Sequence, residues 1–424
     1  MRPLTDPADR HTPAQVEAQL RSPSAAVGVR WELLDRDLNS IGDITSAVAG
    51  TGSVESNTGQ AIIGALDFTL EPVEELRGMA FRAHVKPWWQ LRMPDGGLVE
   101  WPMGVYVWNT PARTVTPSEV WTVTLGDRTH LLDVAGPGPK GFTAFEGDRV
   151  TDLIRTILGR AGLSAAGVVD SDEELAEGKS WQFVTKRTAA RRRREYIEKL
   201  WEQAEGARKR QLARQLAEAR RRAPDVEGAA TSWLTILTEL HDAVGYSAPW
   251  FDADGVYQAR PARDLADEEP DLVLATDPDG LLVSVETQVD LTAIANRVHL
   301  RAENARGSQI GAAVDANDVV PGHPLSEAVI GFYIDHADDD PVAGSREALA
   351  RRARRTLLEK LSGYETASTP SIAWPVHEPG DLIGLRVDDD PDLADETVWQ
   401  QTRFTFDLTT GDMTRELRRA WRPS

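Results

Sequence analysis

The 424-residue chain contains no cysteine. Disulfides, thiolate nucleophiles and Cys-ligated zinc are therefore excluded, and the chain is indifferent to the redox state of its compartment. Long apolar runs are missing as well, and nothing approaches the ~20 residues a membrane helix needs. The opening stretch MRPLTDPADRHTPAQ has no apolar core, so no secretory signal is expected. There is no phosphate loop and no Gly-x-Ser-x-Gly elbow. The eight histidines, at 11, 84, 130, 241, 299, 323, 336 and 377, are scattered, and none makes an HxxxH or HExxH pair.

Positive charge is scarce except in one place. The net charge is −20. Residues 186–222 hold 14 Lys/Arg against 5 Asp/Glu, a local +9, so the remainder of the chain carries −29. An acidic bulk repels nucleic acid and anionic membranes. It reads either as solubility or as a surface past which nucleic acid slides without sticking. Hydrophobic residues make up 41% of the chain and charged residues 27%, enough to build buried cores under a wet surface. The length suggests roughly three domains at about 100–200 residues each.

One stretch organises the rest. In SWLTILTELHDAVGYSAPWFDADGVYQARP (232–261), Ser232 caps a helix whose face is Trp233, Ile236, Leu237, Leu240 and Val244. Gly245 ends it, and an Asp-Ala-Asp-Gly turn closes a hairpin after Phe251. One amphipathic helix on one tight hairpin is a scaffold piece, with long β segments on either side.

The chain divides accordingly. Residues 1–27 form an arm with one short helix at Pro13–Leu20. Residues 28–134 hold about six strands with short connections, among them the alternating ALDFTL (65–70) and a hairpin closed by Pro-Asp-Gly-Gly at 94–97. Residues 135–265 are a mixed α/β middle domain with a helix from 148–151 to Gly159–Gly162, an acidic stretch at 170–179, and a basic helical insertion at 186–223. Residues 266–424 form a second β region: two strands about Asp-Pro-Asp-Gly (277–280), the strand ANRVHLRAEN, a strand at VIGFYID (329–335), a helix at 345–362 and a closing pair that turns at 409–412. The fold class is mainly β with an α+β middle domain.

Candidate sites are few. The basic block is rich in helix formers and, if continuous, spans about 55 Å. It reads as a solvated helix with i,i+4 pairs, as a nucleic-acid contact, or as a docking helix for an acidic partner. Under the last reading the contact residues are Arg191, Arg192, Arg193, Arg194, Trp201, Arg208, Lys209 and Arg210. Asp335-His336-Ala337-Asp338-Asp339-Asp340 could hold a cation, but an acidic loop is more often simply solvated. Arg346 and the arginines within 351–355 read as a wet helix face. Thirteen tryptophans lend some support to sugar binding, yet Trp88, Trp89, Trp101, Trp108 and Trp121 fall at strand positions suited to core packing. A carboxylate pair for glycoside hydrolysis stays open, because its partners need not be close in sequence.

Four passages together resemble the hub proteins of phage tails and related contractile injection systems, including minor tail proteins of siphophages that infect actinobacteria. They are GSVESNTGQAIIGALDFTLEP (52–72), the helix and hairpin at 232–261, ANRVHLRAEN, and the late helix followed by WPVHEPGDLIGLRV. Their order is the signal, and the basic block departs from the pattern as an insertion. The resemblance implies a homotrimer in which each subunit gives two β-barrel-like tube domains to a pseudo-sixfold ring. That ring would dock on a sixfold tail tube or distal tail protein, near the tape measure and tip or fibre proteins. DNA would pass through the lumen without specific binding. It implies a virion tail location after synthesis in the host cytoplasm, and neither catalysis, cofactor nor metal. The alternatives are a carbohydrate-binding module, supported by the tryptophans, and a cell-wall-degrading tail protein, marked by a cleft with two facing carboxylates, one of raised pKa.

Overall fold

A computed structural model describes residues 2–5, 10–71, 83–108, 112–114, 120–138, 141–145, 147–175, 179–181, 232–263, 268–276, 281–289, 294–303, 309–339, 346–362 and 364–420. Strands dominate. Fifteen of them share one sheet, running from Glu286–Val289 through Glu365–Ser371, Met413–Arg419, Thr397–Asp407, Val48–Asn57, Gly64–Leu70, Val120–Asp127, Tyr106–Trp108, His84–Arg92 and Ala26–Leu34 to Ser40–Asp43. The remaining strands of the sheet branch off this path. The two ends do not pair, so the described strands make an open sheet, and no barrel closes among them.

The two β regions meet in the middle of this sheet. Val48–Asn57 and Thr397–Asp407 run antiparallel, with Val54 opposite Phe406 and Asn57 opposite Arg403. Arg403 Nε also donates to Glu55 Oε1 at 2.9 Å. A single core then draws on both ends of the chain. Trp89 is 1% exposed and meets the edge of Phe406 at 5.3 Å and the tilted face of Trp101 at 5.6 Å. Trp101 and Trp108 are buried too, and Trp121 packs on the core, as their strand positions predicted. Trp88 lies at the rim under Lys86 and Arg30, its Nε1 donating to Glu32.

The N-terminal arm is docked rather than loose. Arg2 donates to the carbonyls of Pro102 and Pro375 at 3.2 Å each, and Trp101 Nε1 donates to Leu4 O at 2.8 Å. Pro13–Leu20 is helical, as its sequence suggested, and Thr12 with Gln15 forms its capping box. Val16 and Leu20 point into the sheet's core.

The middle unit has its own core. Val150–Ala161 ends at left-handed Gly162, and Trp233–Val244 runs from a Ser232 cap to left-handed Gly245. Trp233, Leu237 and Leu240 are buried together with Phe251 and Tyr257, which places the helix on the hairpin. The hairpin in turn grips the first β region. Lys86 Nζ reaches Asp254 at 2.8 Å, and Arg128 donates to Gly255 O at 2.6 Å. Gly255 is required here: its φ is 77°, and a Cβ would come within 2.9 Å of Val105.

Two local expectations change. Leu272–Ala275 and Glu286–Val289 are both strands, but they do not form a hairpin with each other. The first runs parallel to Leu382–Arg386 and the second pairs with Glu365–Ser371. Each strand takes a longer-range partner in the core, and the expected Asp-Pro-Asp-Gly turn at 277–280 lies outside the described residues. Nor is 329–335 a strand. Glu327–Ile330 is a helical turn ended by left-handed Gly331, and the strand is Asp335–Asp339, parallel to Arg297–Glu303. The buried Asn296 side chain sets this shift by bonding Phe332 O, Leu325 O and Ile334 N. These strands, with Gln309–Asp315, carry the helix Arg346–Ser362, whose Leu349, Ala353, Leu357 and Leu361 fill a third, smaller core.

Candidate functional site

A groove of about 1400 Å³ opens among the described residues. It lies where the middle unit, the helix Arg346–Ser362 and the end of the large sheet come together. Helical periodicity splits that helix: Leu349, Ala353, Leu357 and Leu361 face its own small core, while Arg351, Arg352, Arg354 and Arg355 line the groove. These arginines are more than a wet face. Arg355 meets Asp242, near the end of the hinge helix, at 2.6 Å, and Arg352 meets the same carboxylate at 3.6 Å. Arg351 reaches Glu173 at 3.7 Å. The exposed Arg351–Glu173 pair contributes about 0–1 kcal/mol, whereas the pairs to Asp242 are mostly buried and fix how the helix meets the middle unit.

Opposite the helix, the Pro379-Gly380 turn delivers Asp381, and Arg263 delivers Asp271. Asp271 Oδ2 accepts from Leu382 N at 2.9 Å and from Arg263. Despite partial burial, its pKa is held below the ordinary carboxylate value by Arg263 and that backbone bond. Asp381 is buried and accepts from Glu378 N at 2.8 Å. Burial pushes its pKa up to about 6. Two carboxylates with pKa values pushed apart do occur in acid–base catalysis. Here their oxygens secure the strand start at Leu382 and the turn at 378–381. Sequence reasoning missed both, since they stand 110 positions apart and only the parallel pairing of Leu272–Ala275 with Leu382–Arg386 brings them together.

His241 also lines the groove wall, as a satisfied core histidine. Its Nδ1 lies 2.6 Å from Ser247 O and its Nε2 accepts from the Tyr257 hydroxyl at 2.8 Å. Burial lowers its pKa to about 4, so it stays neutral. Across the sheet, Arg415 is fully buried and bonds Ser371 and His377, and burial brings its pKa down to about 9.

The acidic run 335–339 does not gather round a cation. Asp335 is taken by Arg297, at 2.6 and 3.0 Å, and by His299 at 3.1 Å. No group of three or more His, Asp or Glu side chains suited to a metal occurs among the described residues. The proposed docking residues Arg191, Arg192, Arg193, Arg194, Trp201, Arg208, Lys209 and Arg210 lie outside the described residues.

No protein-family model and no curated protein matches the chain by sequence. Solved structures do match its fold. A tail protein from Neisseria meningitidis MC58 superposes with a TM-score of 0.57 at 12% identity, covering 93% of this chain and 100% of that one. The 43 kDa tail protein of prophage MuSo2 from Shewanella oneidensis gives 0.55 at 10% identity, over 92% and 98%. Prophage tail protein gp18 from Listeria monocytogenes EGD-e gives 0.50 at 9% identity, over 92% and 94%. At such identities the likeness speaks for architecture, and it spans all three units. The chain has the fold of phage and prophage tail proteins, as the hub resemblance implied, with its described strands in one open sheet where that resemblance implied two barrel-like domains.

Proposed function

We propose that the chain is a structural, non-enzymatic component of a phage tail tip. It acts as a homotrimeric hub that joins the sixfold tail tube or distal tail ring to the tip and surrounds the DNA path. The observation that carries this is the extent of the shared fold: more than nine-tenths of the chain follows tail proteins from three bacteria. Two β regions joined in one sheet suit a subunit that presents two similar faces to a sixfold neighbour. A bulk charge of −29 outside residues 186–222 suits a surface along which DNA moves without adhering. The hydrolase reading is weakened by the structural use of Asp271 and Asp381, and the sugar-binding reading by the burial of Trp89, Trp101 and Trp108.

Imaging the particle tests the hub. Threefold density for this chain against a sixfold ring is expected, and a single copy without symmetry would reject it. We place the basic insertion as the docking element for an acidic surface of the tail. Deleting 187–222 should leave the β regions folded and lower incorporation into particles; unchanged incorporation removes that role.

A further inference from the structure

The groove is incompletely neutralised. Arg354 has no carboxylate within ion-pair distance among the described residues, and Arg351 reaches Glu173 only at 3.7 Å, with both side chains more than half exposed. Arg418, on the facing strand, donates to the neutral Gln400 Oε1 at 2.8 and 2.5 Å, and burial lowers its pKa. Between these cations Leu358 turns an exposed apolar side chain to the cleft. In a chain of net charge −20, this is a basic pocket with an apolar contact, large enough to seat a loop.

A loop that matches it is found on the same chain. Residues 388–396 carry six carboxylates in nine positions: Asp388, Asp389, Asp390, Asp392, Asp395 and Glu396. The loop is a formed turn rather than a loose tail. Leu393 is buried, Val387 N donates to Leu393 O, Leu393 N donates to Asp390 O, and Asp392 N donates to Asp390 Oδ1. A preformed acidic knob loses little conformational entropy on docking.

The far end of the knob, at Asp388–Asp392, stands away from the groove of its own subunit. The strand Leu382–Arg386 leads from Asp381, in the groove, to Asp388, in the knob. Seven extended residues at 3.3 Å each separate the two by about 23 Å. Complementary features at opposite ends of one rigid strand are satisfied between copies, head to tail, and such a contact closes a ring when the rotation allows. Duplex DNA is the competing polyanion for these arginines, and rescue by the combined charge swap separates it from a second copy.

We infer that the groove seats the acidic loop 388–396 of a second copy of this chain. Taking a second copy as occupant rests on the trimer reading. Charge swapping tests it on the full-length protein, with mass measured in solution between about 50 and about 300 mM salt. Arg351→Glu with Arg354→Glu, and separately Asp389→Lys with Asp392→Lys, should each weaken self-association about 10-fold or more. Combining all four should restore most of it. The altered side chains are exposed or at the rim, and an unchanged circular dichroism spectrum confirms the fold.

Association that ignores the reversals, or reversals that the combination does not rescue, would overturn the inference; the second result would assign the groove to a different acidic protein. Duplex DNA binding lost in the Arg351/Arg354 variant while association is unaffected would overturn it as well. So would a wild type that is monomeric at low salt. In each of these cases threefold particle density would leave the hub itself standing, whereas a single asymmetric copy in the particle would remove both.

Discussion

The large sheet and the middle unit solve the same packing problem in opposite ways. The sheet's core runs from Leu4 to Leu417, and its seam joins residues more than 340 positions apart. The middle unit's core lies between Leu132 and Ala259 and is built on helices and one hairpin. Both bury polar side chains: the sheet holds the ionisable Arg415, His377 and Asp381, while the middle unit holds Thr151, Gln258 and one imidazole, His241, matched by Tyr257 and Ser247. The first construction ties both ends of the chain into one cooperative body. The second can loosen while the sheet remains intact, which suits a unit whose hairpin and Asp242 meet the sheet and the groove helix through a few polar contacts.

Removing a large side chain from each core should break this contrast or sharpen it. Trp89→Ala should cost about 3–5 kcal/mol, the larger effect, because Phe406 and Trp101 lose their common neighbour. Leu237→Ala, at a fully buried position of the hinge helix, should cost about 2–5 kcal/mol. The measurement is segment-resolved hydrogen exchange through a urea titration. Trp89→Ala should lower the protection of Val48–Asn57 and Thr397–Asp407 together, and Leu237→Ala should lower it only between residues 132 and 259. A Trp89 variant in which the two seam strands unfold at different urea concentrations would show that the sheet is two bodies.

The same contrast sets what was legible in the sequence. The hinge helix, its Ser232 cap and its Gly245 stop are local signals, and the structure places them where the spacing put them. The same holds for Val150–Ala161 and the hairpin around 94–97. Alternation exposes a strand's inner face but not its partner. Hence nothing in Val48–Asn57 announced Thr397–Asp407, and Leu272–Ala275 was matched to the nearest strand instead of to Leu382–Arg386. The groove was missed for the same reason. Its arginines were visible as a helix face, but Asp271, Asp381 and Arg418 reach it only through long-range pairing. Residues 388–396 were plain as acid and silent as to purpose, since charge alone does not say what lies opposite.

Acid should separate the two regions by the smallest margin of the three. His241 has a folded pKa of about 4 against an ordinary value near 6.5. Between those values the unfolded chain binds a proton that the folded chain refuses. The stability that His241 contributes is therefore complete above pH 6.5 and is lost as pH falls toward 4, by at most about 3 kcal/mol. Asp252 at the hairpin turn, raised by burial, offsets part of this. On the sheet side His84, also near 4, and His377 run in the same direction. There, however, Asp127 and Asp381 are raised to about 6. Folding holds protons on these carboxylates that the unfolded chain has released, so they gain stability as pH falls through 6. The sheet's titrations oppose one another, while the middle unit's is dominated by a single imidazole. At pH 5, exchange corrected for its intrinsic pH dependence should show residues 233–259 losing protection before 397–417. His241→Gln, which cannot titrate, should abolish the difference in slope even if it lowers protection at pH 7. Equal loss in both regions of the wild type would mean that the middle unit is not the weaker partner in acid, and the separation drawn from the two cores would fail.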